Sequence, residues 1–558
     1  MAFLKRLEVS RPEGHEGGDS WYSNDDLLPV PPSQRLWKNW NYITFWLADS
    51  FNLNSFMIAS SIVGSGMSWW AAWLTVWVGY SVAAGFLVLN AYAGAKYHII
   101  FPAYIRASFG TLGALWPVFN RAGMACIWWG VQAWIGGECT YALLCAIWPS
   151  TRNLSNTPLS STDVGRWLGF FLFWLISLVP MWWPMHTIRH FFTLKAVVAP
   201  LAGLGLFGWC IARAGGAGDA LKAPSTIYGS NFGWLFVAST MSCISNMATL
   251  ITNAVDFASR ANTPKAVIVP QLIAMPVCFS MVSLFGILIA SSTTVIFGEF
   301  VWSPLDILTR FLDEPGASHG TRAAVAFIVI GFIIAQIGTN IAANSLSAGC
   351  DLTSLAPRFI NIRRGGYVAA IVGLCMCPWK LMESSNLFTS YLSAYSVFLS
   401  SICGVMLAHY YIVAGRKLKV DDLYVRYGVY EYYHGFNLRA YAAYIAGIAP
   451  NLPATKLASF SSCECSGFIG AVGKPAAPAA RHIYELSFFV GCGVSGLVYV
   501  LLCKAFPLPE ITDDEANTVT VGREAAELGL GGMRDGSYSE KDDSKSEEYG
   551  TVNVAQVV

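Results

Sequence analysis

The chain has 558 residues, 54% hydrophobic and only 12% charged, with 35 Lys and Arg against 34 Asp and Glu and a mean hydropathy of +0.48. That balance excludes a soluble multidomain protein and defines an all-α polytopic membrane protein. A formal net charge of +1, with no basic domain and no aromatic-basic module, argues against nucleic acid as a partner.

The first 36 residues are polar and mixed in charge with no apolar core, so no cleavable signal peptide is expected. Residues 1–40 read as a leader whose Pro-containing end, DDLLPVPPSQRLWKNW, is expected at the membrane surface. Apolar stretches long enough to span then recur at about 41–64, 69–95, 114–148, 165–184, 193–213, 232–255, 266–297, 322–347, 366–382, 387–413, 437–456 and 485–506. They predict twelve transmembrane helices in a transporter domain over 41–506. From Pro507 the chain is rich in Glu, Asp, Ser and Gly without hydrophobic period, which predicts a disordered acidic tail over 507–558.

An even number of spans puts both termini on one side, and basic residues choose it. Lys96, Arg106 and Arg121 are read as following the second span, Arg189 and Lys195 the fourth, Arg260 and Lys265 the sixth. Arg358, Arg363 and Arg364 follow the eighth, and Arg416, Lys417, Lys419 and Arg426 the tenth. The alternating loops hold fewer, so both termini are expected in the cytoplasm. The sequon Asn153-Leu154-Ser155 then lies outside. The fourteen cysteines are scattered through apolar segments and read as small hydrophobes, not as a disulfide framework or zinc site.

Polar residues inside the spans carry the functional signal, since each costs free energy in hydrocarbon unless a partner or ligand satisfies it. The first span, FWLADSFNLNSFMIASSIVGSG, clusters Asp49, Ser50, Asn52, Asn54 and Ser55, as expected where a helix breaks and its freed backbone faces a cavity. In the third, Trp128 and Gln132 are four apart on one face: a flat ring to stack on and an amide to hydrogen-bond, suited to a planar heterocycle. An interfacial or packing role for the tryptophan is the alternative. The sixth carries Ser245-Asn246-Met247-Ala248-Thr249 at its middle and Asp256 near its end, and pairs with the first if the fold holds an inverted repeat. The eighth reads QIGTNIAANSLSAGCD from Gln336 to Asp351, where Thr339, Asn340, Asn344 and Asp351 lie among small residues that admit close approach. Helix-to-helix glue accounts for one such group; four ending in an acid indicate a binding cavity.

No phosphate loop, dinucleotide fingerprint or Gly-x-Ser-x-Gly elbow occurs, so no catalytic residue, cofactor or metal site is expected. His186 and His190 have metal-pair spacing, but lie in a basic cytoplasmic loop without a third ligand.

The leader NDDLLPVPPSQRLW running into FWLADSFNLNSFMIASS, the WWGVQAW of the third span, GTNIAANSLSAGCDLTSLAPRFINIRRG of the eighth, and CPWKL together resemble the nucleobase-cation symporter-1 family. The resemblance covers nearly the whole chain and is closest to the fungal Fur-type branch of uracil, allantoin and uric acid permeases. It implies a LeuT-like fold of a 5+5 inverted repeat plus two C-terminal helices, shared with the bacterial hydantoin transporter. It implies further that Trp128 stacks on the substrate, that Gln132 and Asn344 hydrogen-bond its amide edge, and that Asn52 lines the site. Asp351 matches an acid those permeases need for transport, and Asp49 is a further candidate for proton coupling.

Three departures from the family pattern matter. The sodium site of the bacterial relative maps to the carbonyls of Ala48, Phe51 and Ala335 and to Gly338 and Thr339; a serine hydroxyl has been lost at Gly338, which implies proton coupling. Met247 stands where several Fur-type permeases have lysine, which removes a hydrogen-bond donor and leaves uridine, thiamine or nicotinamide riboside open as substrates. Residues 454–466, ATKLASFSSCECS, interrupt a junction that runs straight through in relatives: an extra loop or a retained intron. The expected function is proton-coupled uptake of a purine- or pyrimidine-related heterocycle across the plasma membrane, with lipid and the small substrate as partners. A nutrient-sensing transceptor with little flux is the alternative from another class.

Overall fold

The computed structural model describes residues 8–9, 24–156, 158–159, 162–183, 185–216, 222, 224–314, 317–383, 385–451 and 482–512. The 454–466 insertion and most of the tail, from 513 onward, lie outside them, as do the side chains of His186 and His190.

The first apolar segment folds as two helices. α1 (Asn39–Ser50) stops at Phe51, Asn52 is extended at φ −132° and ψ 155°, and α2 (Leu53–Gly64) begins. Asn52 satisfies both orphaned helix ends: its Oδ1 accepts from the Ser55 amide at 3.0 Å and its Nδ2 donates to the Asp49 carbonyl at 2.5 Å. The polar run in the sequence is thus the chemistry of a break.

Next come α3 (Trp69–Tyr97), a short α4 (Phe101–Phe109) and α5 (Leu115–Ile147). Strands β1 (Pro158–Leu159) and β2 (Thr162–Asp163) make a two-residue antiparallel pairing, and isolated bridges join Trp37 to Ala261 and Tyr433 to Phe436. α6 (Val164–Leu178) and α7 (Met185–Arg213) follow. The sixth segment is also broken, into α8 (Gly229–Asn246), α9 (Ala248–Thr252) and α10 (Ala254–Ala258), with Met247 and Asn253 at the interruptions. Asn54 Nδ2 donates to Asn246 Oδ1 at 3.0 Å, and Asn246 Nδ2 donates to the Tyr80 hydroxyl at 3.2 Å, so the two breaks are tied to each other and to α3.

The rest comprises α11 (Val269–Phe297), α12 (Pro304–Asp313) and α13 (His319–Thr339), which runs through a π turn at Asn340–Ser345 into α14 (Leu346–Leu355). α15 (Ile362–Cys375), α16 (Ser385–Leu407), α17 (Leu438–Ile448) and α18 (Ser487–Ala505) complete the order. Seven helical stretches among the described residues are long and apolar enough to cross a membrane. The other predicted spans are split by breaks, carry charge, or are short. α5, for example, contains Arg121 and Glu138.

α5 and α6 meet backbone to backbone. A Cβ on Gly137 would lie 2.4 Å from Phe170 Cα, and one on Gly169 2.4 Å from the Gly137 carbonyl. Gly137→Ala is expected to destabilise by about 1–3 kcal/mol through overpacking. The check is the thermal midpoint of the detergent-purified protein; an unchanged midpoint would mean that the two helices are free to separate.

Two expectations are corrected here. The leader does not merely lie at the membrane surface; from Asn24 to Trp37 it straps across helix ends. Asn24 Nδ2 donates to the Pro357 and Ile360 carbonyls, Asp26 Oδ2 accepts from the Ile362 amide at 3.2 Å, and the Val30 amide donates to the His98 carbonyl at 2.8 Å. The Trp37 amide reaches the Arg260 carbonyl at 2.9 Å and the Tyr424 hydroxyl donates to the Leu27 carbonyl at 3.1 Å. Two short turns, Asp25–Leu27 and Pro32–Gln34, pair only part of this backbone internally, and the helix-end loops supply the remaining partners. Second, Arg106, Arg121 and Lys195 are not loop charges. They sit inside α4, α5 and α7 and are 3%, 1% and 3% exposed.

Candidate functional site

The polar groups of the third and eighth predicted spans meet along one seam between α5 and the α13–π–α14 helix. Gln336 Nε2 donates to Gln132 Oε1 at 2.9 Å. One turn along, Asn340 Nδ2 donates to the Trp129 carbonyl at 3.1 Å, and Asn344 Nδ2 donates to Asn340 Oδ1 at 2.9 Å. Trp129 Nε1 donates to Ser345 Oγ at 2.9 Å. The π turn, which inserts one residue into the helical repeat, falls where these asparagines sit. Gln132 Nε2 and Asn344 Oδ1 have no hydrogen-bond partner among the described residues. Trp128 packs edge-on against Tyr395 at 6.3 Å between ring centroids, and the Tyr395 hydroxyl donates at 2.6 Å to the Ser245 carbonyl, just before the break at Met247. The seam is thereby linked through α16 to the broken sixth segment.

At one end of the seam lies a buried ion pair. Arg121 Nε donates to Asp351 Oδ2 at 2.5 Å, with both side chains at most 1% exposed. Arg121 also donates to the Ser347 carbonyl at 2.6 Å. Ser347 Oγ accepts from Asn253 Nδ2 at 3.0 Å, and Asn253 also donates to Asp256 Oδ2 at 3.2 Å. Asp256 Oδ1 accepts from the Phe101 amide at 2.6 Å at the start of α4. This chain of bonds joins α5, α14, the second break of the sixth segment and α4, so none can shift without breaking it.

A second buried cation lies between α7 and α13. The Lys195 stem rests on Gly338: a Cβ there would come within 2.7 Å of Lys195 Cδ. Lys195 is 3% exposed, and Asp49, near the end of α1, is 7% exposed. Thr339 Oγ1, next in sequence, is buried without a hydrogen-bond partner among the described residues. Asn52 is buried as expected, but both ends of its amide are engaged in the break. Met247 is 3% exposed and ends α8.

Sequence reasoning read Arg121 and Lys195 as loop charges, missed Tyr395, and did not pair Gln336 with Gln132 or Asn340 with Trp129, although Asn340 stood among its four polar groups. Arg121 and Lys195 were legible in principle, since both fall inside the apolar stretches 114–148 and 193–213. Nothing local distinguished Tyr395. Twelve cysteines are free among the described residues, most of them buried, and no group of His, Cys, Asp or Glu there has the makings of a metal site.

Two broken helices set beside a polar seam inside an apolar helical bundle define the fold of a secondary membrane transporter. The family model described as permease for cytosine/purines, uracil, thiamine, allantoin matches residues 29–491. The chain is 42% identical over 504 residues to the allantoin permease of Saccharomyces cerevisiae and 41% identical over 505 residues to its uracil permease, in each case over 88% of this chain and 77% of the relative. It is 45% identical over 573 residues to an uncharacterized permease of Schizosaccharomyces pombe, over 99% and 95% of the two chains. Its fold matches that of Mhp1, a nucleobase-cation-symport-1 family transporter in a closed conformation with bromovinylhydantoin bound, at a TM-score of 0.68 and 21% identity over 88% of this chain and 98% of that one. The chain belongs to the nucleobase-cation symporter-1 family, in its fungal Fur-type branch.

Proposed function

We propose that this multi-pass permease carries out proton-coupled uptake of a purine- or pyrimidine-related heterocycle, of the uracil, allantoin and uric acid class, across the plasma membrane. The carrying observation is the seam: Gln132, four residues from Trp128 on α5, and Asn344, in the π turn packed against α5, each hold one amide end without a partner among the described residues. An amide end without a protein partner can bond a ligand with complementary groups. Trp128 would stack on the ring, Gln132 and Asn344 would bond its amide edge, and Met247 would bound it on the far side. Asn52 would shape the site by holding the break.

Coupling falls to Asp351, Asp49 and Thr339. Lys195 supports protons over sodium: the stem of a buried lysine lies against Gly338, so a cationic side chain occupies the region where a metal would need hard oxygen ligands. We read the helices as twelve crossings, a 5+5 inverted repeat plus two, with both termini cytoplasmic, a leader over 1–40 and a tail over 507–558. Alternating access is then a rocking of α1–α3 and α8–α11 against α5, α6 and α13–α15, with the Arg121–Asp351 network closing one side.

The test is an uptake panel of labelled uracil, allantoin and uric acid in cells expressing the chain, with and without a protonophore. Uptake of at least one should appear, rise at acidic external pH and collapse with the protonophore; background uptake of all three by protein that reaches the plasma membrane would defeat the substrate class. Within that panel, Gln132→Ala and Asn344→Ala are each expected to raise KM by about tenfold or more, the worth of one lost hydrogen bond to a ligand. Equal, small changes from both would mark them as packing residues.

A further inference from the structure

We propose that Asn340 is a positioning residue that fixes the hydrogen-bond polarity of the site, so that Asn344 keeps its Oδ1 as an acceptor for a substrate ring N–H. The argument starts from the Trp129 main-chain carbonyl, which can only accept. Asn340 Nδ2 donates to it at 3.1 Å, so Asn340 must turn its Oδ1 the other way. That oxygen can only accept in turn, and Asn344 Nδ2 donates to it at 2.9 Å. The end of Asn344 without a partner is therefore Oδ1, with one N–H of its half-used Nδ2 beside it.

Reversing Asn344 would set its oxygen against Asn340 Oδ1, and reversing both would set Asn340 Oδ1 against the Trp129 carbonyl. Asn340 is 1% exposed, so water is not at hand to relieve either clash. The polarity is thus dictated by a backbone group that no substitution can invert. The Gln336–Gln132 pair has no such anchor: its two amides could be exchanged end for end, and it sets no polarity alone.

The ligand class this selects, resting on the reading that Asn344 faces the substrate, is a heterocycle with an N–H at the edge presented to Asn344. Lactams and cyclic ureides qualify; analogues methylated at that nitrogen do not. A methyl group in place of the proton removes the bond and puts carbon against a buried carbonyl oxygen.

The experiment measures competition by uracil, 1-methyluracil and 3-methyluracil against labelled uracil, with the allantoin and uric acid arms run in parallel. In the wild type at least one N-methyl isomer should compete about tenfold or more weakly than uracil. In Asn340→Ala, Asn344 is free to rotate and present its NH2, and that ratio should fall toward one. In Asn340→Asp the oxygen facing the Trp129 carbonyl must carry a proton and donate to it, the other oxygen still accepts from Asn344 Nδ2, and the ratio should persist. A variant with too little uptake is read instead by displacement of labelled uracil from the purified protein, with its melting midpoint as the control for folding. A ratio unchanged in Asn340→Ala, or a wild type indifferent to both methyl isomers, overturns the role of Asn340 while leaving the transporter reading intact. No uptake of uracil, allantoin or uric acid by the wild type overturns both.

Discussion

Asp351→Ala is expected to abolish uptake and to lower the amount of folded protein at the plasma membrane. Removing the carboxylate strands Arg121, 1% exposed and inside α5, without its counter-charge. Breaking a buried ion pair from one side costs about 3–5 kcal/mol, a large fraction of ordinary folding stability. Arg121→Met alone should do comparable harm for the converse reason. The double variant Arg121→Met, Asp351→Leu replaces the pair with apolar groups of similar size and should recover the fold, since such replacements are often neutral or better. It should not recover pH-dependent transport. Tagged-protein fluorescence at the cell surface and uptake against external pH separate the two effects; a double variant with wild-type uptake and pH profile would reduce the pair to a structural strut. Asp351→Asn keeps an oxygen for Arg121 and should therefore fold better than Asp351→Ala, losing turnover more than binding.

The other large effect is expected at Lys195. Lys195→Met preserves the stem that lies on Gly338 and removes the buried charge. Uptake driven by an inward proton gradient should fall to near background while the protein still reaches the membrane. Gly338→Ala should fail for a steric reason, its Cβ meeting Lys195 Cδ at 2.7 Å. Overpacking of this kind costs about 1–3 kcal/mol. Shortening the lysine in Gly338→Ala, Lys195→Ala should restore folding without restoring coupling. Uptake by Lys195→Met with the wild-type dependence on pH and protonophore would remove Lys195 from the coupling machinery.

Substrate choice in this branch rests on few groups. Relatives named as allantoin, uracil and uridine permeases are 42%, 41% and 39% identical to the chain, so overall similarity does not select among them. On the proposed reading, Asn344 and Met247 are where a difference of a few kcal/mol between substrates would arise, because an amide discriminates by donor and acceptor and a thioether by shape alone.

The sequence by itself determined the membrane class, the positions of the helical segments and both interruptions. A Ser-Asn-Asp run in hydrocarbon has few physical solutions, and the freed ends around Asn52 and Met247 are one of them. It also marked Trp128, Gln132, Asn344 and Asp351 as out of place in an apolar span, and its long motifs identified the family. What only the tertiary structure decided is how those groups are partnered. Arg121 and Asp351 are 230 residues apart, and Gln132 and Gln336 are 204 apart. Periodicity reports which face of a helix is apolar, not which distant helix it meets, so Arg121 and Lys195 passed for loop charges until burial showed otherwise. The same holds for Asn340, which reads as one more polar residue until the Trp129 carbonyl fixes the direction of its amide.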